Sequence, residues 1–240
     1  MEKYLMEAAS RMGIDMSPAQ AEKFKRYHAL LVAANKEMNL TRVSDDIAEA
    51  CDRNYLDSLT LFTHLGQAKN LIDVGSGAGF PGVPLAILRP DMEITLLDSL
   101  AKRVDFLSNV IEELGLNARA VHLRCEDAAK QPLYRDSFDI ATARAVASMD
   151  VLSEWLLPFV KAGGRMLALK GPSAQEECAE ATFALESLNG KLSYIAQAQI
   201  PGRDWDHKIV CIEKIGATPD RFPRKPGMAE KRPLKQQVRT

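Results

Sequence analysis

The stretch that most constrains the fold is residues 70–84, which read NLIDVGSGAGFPGVP. An apolar run from Leu71 to Val74 is followed by four glycines within eight residues, and a helix-like apolar pattern begins after Pro81. This order is typical of a strand, a tight turn and the N-terminus of a helix. Glycines in such a turn allow positive φ angles and let the backbone approach a ligand closely. The stretch therefore predicts a turn that binds a nucleotide-like cofactor.

Two acidic residues bear on which cofactor this turn binds. The glycines of residues 77–82 also fit GxGxxG, the dinucleotide fingerprint, which is weak evidence by itself. Asp73 comes two residues before the first glycine, where its carboxylate can accept hydrogen bonds from the loop and from an ammonium group. S-adenosyl-L-methionine (SAM) carries an ammonium group, whereas NAD offers a pyrophosphate that the carboxylate would repel. Asp98, at the end of the next predicted strand, is placed to bind the ribose hydroxyls of either cofactor.

Strands and helices alternate from residue 70 onward. Helices are predicted at residues 100–114 and 151–160, and strands at 71–74, 93–98, 118–123, 137–142, 164–169, 191–198 and 207–214. Alternation of this kind predicts βαβ units and a mainly parallel sheet with helices on both faces. Only a short Pro-Gly-Arg-Asp stretch separates the last two strands, which favours an antiparallel hairpin. The predicted fold is therefore α/β and Rossmann-like, with seven strands, and is similar to the class I SAM-dependent methyltransferases.

Residues 1–69 are predicted to form a helical segment that packs on this core of residues 70–215. Ser17 to Gln20 read as a capping box with proline at the first helical position, and the apolar residues that follow recur at helical spacing. A second helix is predicted over residues 45–65, with a buried face formed by Ile47, Ala50, Tyr55, Leu59 and Phe62. Residues 35–41, between the two, are predicted to be a helix C-terminus that runs into a loop.

The remaining segment, residues 216–240, is a basic, proline-rich tail. It carries seven Lys or Arg against two acidic residues and contains four prolines, on a chain whose net charge is -1. Because the prolines prevent a regular helix, we expect an extended basic arm. A solvated, disordered terminus is the alternative. An extended arm of this charge would contact phosphates, and that attraction would weaken with salt.

Cysteine usage and hydropathy limit the remaining possibilities. The four cysteines, Cys51, Cys125, Cys178 and Cys211, are scattered without a CxxC pair, which indicates neither a zinc site nor a disulfide framework and fits a reducing compartment. The sequence shows no secretory leader and no apolar run near the roughly 20 residues of a membrane span. We therefore expect a cytoplasmic protein without a metal and without a membrane partner.

The residues that follow the predicted strands are candidates for the site, because a ligand of an open α/β sheet lies outside the carboxyl ends of its strands. The third strand is followed by Cys125, Glu126 and Asp127. An acid there can accept from an adenine amino group, and the small side chain of Cys125 leaves room for the ring. Glu126 or Asp127 could equally cap the next short helix. Arg144 follows the fourth strand, and Lys170 follows the fifth.

Arg144 follows the fourth strand, where many methyltransferases carry a motif that acts on the methyl acceptor. The sequence has neither an Asp-Pro-Pro-Tyr or Asn-Pro-Pro-Phe motif, which grips an exocyclic amine, nor a Pro-Cys nucleophile. An acceptor that must lose a proton would need a base at this point, and Arg144 is a permanent cation. Guanine N7 has a free lone pair at neutral pH and needs no base. Catalysis would then be positioning and exclusion of water, so the absence of a base favours N7.

Seven motifs resemble those of one family, the ribosomal RNA small-subunit methyltransferase G (RsmG, or GidB) family. The glycine loop with its following Phe-Pro-Gly is the most specific of them. The motifs cover nearly the whole chain, at residues 35–41 (NKEMNLT), 57–59 (DSL), 73–85 (DVGSGAGFPGVPL), 97–103 (LDSLAKR), 144–148 (RAVAS), 169–171 (LKG) and 218–227 (TPDRFPRKPG).

The resemblance implies transfer of a methyl group from SAM to N7 of a guanine in a loop of 16S ribosomal RNA, as part of rRNA processing. It implies that Gly75 and Phe80 contact the cofactor, that Cys125 and Glu126 hold its adenosine, and that Arg144 lies at the cofactor and acceptor site. With Gly77 and Asp98, which the pattern itself selects, these are the predicted cofactor-binding residues. Arg144 is the one candidate for a catalytic role.

The resemblance further implies that Lys170, Arg203 and His207 contact the RNA. The partner would be 16S rRNA or the small ribosomal subunit, and we expect a monomer. Two alternatives remain open from the sequence. A SAM-dependent methyltransferase acting on a small molecule would explain the near-neutral charge, and a non-catalytic ribosome-assembly factor would keep the fold for binding only.

Overall fold

The computed structural model describes residues 1–41, 44–144 and 147–236 and contains one seven-stranded sheet. Its strands are β1 Asn70–Val74, β2 Glu93–Asp98, β3 Ala118–His122, β4 Phe138–Arg144, β5 Val160–Lys170, β6 Gly190–Gln197 and β7 Lys208–Lys214. They lie in the order β3-β2-β1-β4-β5-β7-β6. The first five are parallel, and β7 runs antiparallel to both β5 and β6. The predicted α/β fold with seven strands is confirmed.

Two layers of helices cover this sheet. The helices are α1 Glu2–Arg11, α2 Pro18–Met38, α3 Ile47–Ala50, α4 Asp57–Leu59, α5 Gly82–Leu88, α6 Ala101–Leu114, α7 Cys125–Ala128, α8 Met149–Leu156, α9 Ala174–Glu180, α10 Thr182–Ser187 and α11 Met228–Lys231. Short 3₁₀ turns lie at Phe62–His64 and Leu157–Phe159. None of the helices in the described part of the chain has the length and apolar character that crossing a membrane requires.

The alternation of side chains along the strands divides the core into two layers. Leu71 and Ile94 pack in one apolar cluster with α1, α2, α5 and α6, whereas Ile72 and Leu97 belong to a second cluster with α8, α9 and α10. Successive residues of a strand point to opposite faces, so a strand buried on both sides is apolar at nearly every position. This explains why β1 is apolar at Leu71 and Ile72, which face opposite layers of the core.

Helix α2 attaches the N-terminal segment to the glycine loop and to α5. The predicted capping box is confirmed, because the Ser17 side chain accepts from the Gln20 amide and the Gln20 side chain accepts from the Ser17 amide. Gln20 Nε2 also donates to the carbonyl of Ile87 at 3.1 Å. The buried hydroxyl of Tyr27 donates to the carbonyl of Ala78 within the glycine loop. The N-terminal helices therefore support the loop directly.

The prediction of one regular α-helix over residues 45–65 is wrong, although most of this segment is helical. After α3 the backbone forms a π-helix, Cys51–Leu56, and then the short α4 and a 3₁₀ turn. A π-helix hydrogen-bonds i to i+5, so a 3.6-residue period does not select the buried face across it. Ala50, Tyr55 and Leu59 are buried as predicted, but Phe62 is only partly buried and Ile47 is 43% exposed. The prediction for residues 35–41 is confirmed, because α2 ends at Met38 and a loop follows.

The C-terminal tail is neither an extended arm nor disordered over residues 216–236. Phe222 and Ala229 are buried, and residues 228–231 form α11. The Arg135 guanidinium donates to the carbonyls of Thr218 at 2.7 Å and Phe222 at 2.9 Å. The prolines do exclude a long helix, but the apolar side chains between them pack on the core. Counting charge and proline could not detect that packing.

Candidate active site

The loop after β1 is held by the end of β2. The amides of Gly75 and Ser76 donate to the Leu97 carbonyl at 2.8 and 3.1 Å. Gly75 and Gly77 have φ of +73° and +58°, a conformation that favours glycine. A Cβ on Gly77 would meet nothing closer than the Gly75 carbonyl oxygen at 3.8 Å. The backbone at Gly77 is therefore open to a ligand, as predicted from the glycine spacing.

Asp73 holds the start of α5. Its Oδ2 accepts from the Gly82 amide at 2.9 Å, and a Cβ on Gly82 would lie 2.2 Å from the Leu96 side chain. Burial raises the pKa of Asp73 to about 7, and the hydrogen bond from Gly82 opposes this rise. The carboxylate is fully buried and its predicted contact with the loop is present. Its Oδ1 has no hydrogen-bond partner among the described residues, and contact with an ammonium group stays a prediction.

A cavity of about 240 Å³ lies at the carboxyl ends of β1, β2 and β3, and we call it the nucleoside pocket. Asp98 lines it and is only 3% exposed. Its Oδ2 accepts from the Gly77 amide and its Oδ1 from the Leu100 amide, both at 2.9 Å. Arg103 Nη1 also lies 3.5 Å from Oδ2. A carboxylate has about four lone-pair sites, so Asp98 can hold these three donors and still accept from a ribose hydroxyl.

Cys125 and Glu126 lie on α7 and line the same pocket. Glu126 is 5% exposed, and its Oε1 accepts from the Gly227 amide at 3.1 Å. The Cys125 thiol donates to Glu126 Oε2 at 3.3 Å. Burial raises the pKa of the Cys125 thiol, which keeps it neutral and unreactive. The structure thus brings Gly75, Asp98, Cys125 and Glu126 together, as the sequence predicts.

The side chain of Trp155 bears on whether the nucleoside pocket can hold a nucleoside. It lines the pocket, and its buried indole N–H has no hydrogen-bond partner among the described residues. A buried donor without a partner is costly, so it indicates a missing acceptor such as a ring nitrogen of a purine. Asp98 and Glu126 supply acceptors for ribose hydroxyls and an amino group. This set of donors and acceptors fits the adenosine part of SAM.

A second cavity, of about 750 Å³, lies at the ends of β4 and β5, and we call it the acceptor pocket. Arg144 lines it as the last residue of β4, which extends two residues beyond its predicted end. The Arg144 guanidinium donates to the Arg53 carbonyl at 2.9 Å and to Asp57 at 3.3 Å, and it lies 4.6 Å above the Phe80 ring. Phe80 is buried beneath Arg144 and lines neither pocket, and Arg144 does not line the nucleoside pocket. The predicted contacts of both residues with the cofactor stay predictions.

Asn54 and Asp57 line the acceptor pocket and were not selected as site residues from the sequence. Asp57 accepts from Arg144 and hydrogen-bonds His207 Nδ1 at 2.9 Å. Asn54 is 3% exposed, and its Nδ2 has no partner within the described part of the chain. Polar residues within a helix that is otherwise buried were the available signal. The π-helix, Cys51–Leu56, carries Asn54 and leads directly into Asp57.

The three residues predicted to contact RNA lie in different places. Lys170 and His207 line the acceptor pocket, and Arg203 lines a neighbouring groove. The Lys170 ammonium is 2.6 Å from Glu177 and its side chain is only 8% exposed, so its charge is already compensated. Arg203 pairs with the buried Asp52 at 2.6 Å and lies 5.5 Å from the centre of the Trp205 ring. Their contact with RNA stays a prediction.

His207 provides a prediction about charge in the acceptor pocket. The hydrogen bond to Asp57 raises the pKa of His207 above its ordinary 6.5. The stabilisation from this pair is therefore complete below pH 6.5 and is lost as the pH rises through the folded-state pKa. We expect an NMR titration to place the His207 pKa above 6.5, and Asp57→Asn to lower it. The control variant Asp204→Asn, on the same loop as His207, should leave the His207 pKa unchanged. A wild-type His207 pKa at or below 6.5 would contradict its pairing with Asp57.

The order of the strands, the glycine loop after β1 and the acid at the end of β2 define a class I SAM-dependent methyltransferase fold. Solved structures agree. The structure of M. jannaschii TYW2 in complex with AdoMet has a TM-score of 0.55 at 14% identity, and the match covers 75% of this chain and 81% of that chain. A branched-chain polyamine synthase from Thermus thermophilus has a TM-score of 0.56 at 12% identity, covering 80% and 64%. These identities show the fold alone.

The chain belongs to the GidB family, whose model is described as rRNA small subunit methyltransferase G and matches residues 20–205. A relative from Clostridium perfringens (strain 13 / Type A), named "Ribosomal RNA small subunit methyltransferase G", is 44% identical over 234 residues. That match covers 96% of this chain and 98% of the relative. The resemblance stated from the motifs is confirmed.

Proposed function

We propose that this protein transfers the methyl group of SAM to N7 of a guanine in a loop of 16S rRNA. Membership of the GidB family supports the rRNA substrate and does not favour a small molecule. The observation that carries the choice of atom is the lining of the acceptor pocket. Its two carboxylates, Glu49 and Asp57, are both paired with arginines, and the raised pKa of His207 favours the protonated imidazole, which cannot accept a proton.

The nucleoside pocket would hold the adenosine of SAM, and bound SAM supplies a methyl group that is activated by the positive sulfonium. Asp98 would accept from the ribose hydroxyls, while the same carboxylate keeps the glycine loop in place through the Gly77 amide. Glu126 would accept from the adenine amino group. The open backbone at Gly77 would lie against the cofactor, because no side chain intervenes there.

The acceptor pocket is suited to an atom that already has a lone pair. Arg144 and His207 both hydrogen-bond Asp57, and the raised pKa of His207 favours its protonated, donating form. With His207 protonated, these two cations exceed the single negative charge of Asp57, whereas the charge of Lys170 is compensated by Glu177. Guanine N7 needs no proton removed, so the chain's contribution is to orient the base and to exclude water.

Guanine can be recognised through O6, the oxygen next to N7 on the same edge of the base. On the major-groove edge of guanine, N7 and O6 are both hydrogen-bond acceptors. The buried Asn54 amide lacks a partner among the described residues, and it is a donor of the kind that O6 requires. An Asn54 amide bonded to O6 would place N7 in the same region of the pocket. The base must leave its stack to enter, which costs a few kcal/mol and least in a single-stranded loop.

The test is transfer of labelled methyl from SAM to small ribosomal subunits that lack their own modification. Borohydride and aniline treatment then cuts RNA at 7-methylguanosine. We expect label and one cleavage site in 16S rRNA. Label without cleavage would mean that another atom is methylated. No label in any RNA, from protein that binds SAM, would overturn the ribosomal substrate.

Four accompanying expectations stay predictions. A ribosomal substrate would place the protein in the bacterial cytoplasm, and the partner would be 16S rRNA or the small subunit. The proposed chemistry requires no metal, and in the described residues no group of three or more His, Cys, Asp or Glu is arranged to hold one. The expected monomer can be checked by sedimentation.

A further inference from the structure

We propose that residues 216–236, which we call the C-terminal strap, form one wall of the nucleoside pocket and set the affinity for the cofactor. Gly227 and Glu230 of the strap line the pocket. Arg224 is the positioning residue that holds the strap in place. This inference rests on the proposed use of SAM, and it replaces the expectation that the tail is solely an RNA-binding arm.

The beginning of the strap is fixed by two buried or half-buried cations. The Lys214 ammonium is fully buried and donates to the Thr218 hydroxyl and to the Leu157 carbonyl. The Arg135 guanidinium donates to carbonyls of the strap on either side of Asp220. Phe222 then enters the apolar cluster that also contains residues of α8, α9 and α10. The strap is therefore anchored before it reaches the pocket.

The central contact of the strap is an ion pair between Arg224 and Glu154 on α8. Glu154 is 1% exposed, and it accepts from the Arg224 backbone amide at 2.8 Å and from Nε at 2.9 Å and Nη2 at 2.5 Å. Arg224 Nη1 donates to the Arg232 carbonyl at 2.7 Å, which closes the strap around α11. Forked pairs of this kind fix geometry as well as charge. Glu154 directly precedes Trp155 on α8. The Arg224–Glu154 ion pair therefore holds the strap beside the wall that Trp155 forms.

The strap also holds a residue that the proposed function assigns to adenosine. Gly227 has φ of +77° at the start of α11, and its amide donates to Glu126 Oε1 at 3.1 Å. This bond orients the buried Glu126 carboxylate, which also lines the nucleoside pocket. Without the strap, Glu126 would lose this donor and the pocket would open to solvent beside Trp155.

Coupling between the strap and the pocket must be reciprocal, because a segment that strengthens ligand binding is itself stabilised by the ligand to the same degree. We therefore expect Arg224→Ala to weaken the binding of S-adenosyl-L-homocysteine by about 10-fold or more, measured by calorimetry on the full chain. Lys225→Ala removes an adjacent, exposed cation and should leave the affinity unchanged. In the wild type, the same compound should slow amide hydrogen exchange across residues 217–236.

The hydrogen-exchange measurement needs no variant. It therefore shows whether the strap is coupled to the nucleoside pocket even if the Arg224→Ala protein fails to fold. Unchanged exchange in the strap on binding, or equal affinity of a folded Arg224→Ala protein, would overturn the strap's role while leaving the proposed function intact. A wild-type protein that binds neither SAM nor S-adenosyl-L-homocysteine would overturn both. Weaker binding with Arg224→Ala but not with Lys225→Ala, together with slowed exchange, would establish the strap as part of the pocket.

Discussion

Replacing Asp98 with alanine is expected to weaken SAM binding by about 100-fold or more, and to abolish methyl transfer at ordinary cofactor concentrations. The substitution removes the acceptor of the Gly77 and Leu100 amides and the proposed acceptor of the ribose hydroxyls. Each hydrogen bond to a charged group contributes about 1.5–3 kcal/mol, and about 1.4 kcal/mol is a factor of 10 in affinity. Calorimetric titration with S-adenosyl-L-homocysteine measures the loss.

Asp105→Ala is the matched control for this substitution. Asp105 is an exposed carboxylate on α6, the helix that follows Asp98 in the chain. Its removal changes the net charge equally but touches neither the glycine loop nor the pocket, so the affinity should not change. An Asp98→Ala protein that is folded and binds with wild-type affinity would show that the nucleoside pocket is wrongly assigned.

The cofactor side of the site could be predicted from the sequence because it is local. The glycine loop, Asp98 and the Cys125–Glu126 pair each lie at or just beyond the end of a strand, and a parallel sheet brings those ends to one edge. Each strand could be located from its own apolar pattern. No long-range contact had to be known for these residues to be placed together.

The acceptor side could be predicted only in part, because its geometry depends on contacts between distant segments. Arg144 bonds the Arg53 carbonyl across 91 residues, and His207 bonds Asp57 across 150. The π-helix that positions Asn54 has no recognisable signature in a 3.6-residue pattern. The family resemblance gave Arg144 and His207 as site candidates, and the motif at residues 57–59 contains Asp57, but nothing in the sequence showed that this carboxylate joins them.

The C-terminal tail was misjudged for a different physical reason. Its composition is that of a solvated arm, and composition averages over residues that behave differently. Arg224 is half-buried on a fully buried carboxylate, whereas Lys225 beside it is exposed. Two apolar side chains, Phe222 and Ala229, are enough to pack the segment against the core. A deletion of the whole tail would therefore disturb the cofactor pocket too, and could not by itself distinguish RNA from a small-molecule substrate.

Arg144→Ala is expected to reduce methyl transfer to the small subunit by roughly 100-fold or more while SAM affinity stays close to that of the wild type. Arg144 lines the acceptor pocket and not the nucleoside pocket, so its loss should affect orientation of the base rather than cofactor binding. Without it, Asp57 loses one of its two partners and the surface above Phe80 is uncovered. Single-turnover rates with saturating SAM measure the effect.

Two further variants show whether the guanidinium itself is required. Arg144→Lys keeps the charge but lacks the planar guanidinium that lies over the Phe80 ring and whose Nη1 donates to the Arg53 carbonyl and Asp57, so we expect it to remain strongly impaired. Arg119→Ala removes an exposed cation on β3 that pairs with Glu93 at the opposite end of the sheet, and it should leave the rate unchanged. If the Arg144→Ala protein bound SAM normally and methylated the subunit at the wild-type rate, Arg144 would have no part in the reaction. If the lysine variant were fully active, charge alone would be sufficient, and the guanidinium contacts with Asp57 and the Arg53 carbonyl would serve only the stability of the fold.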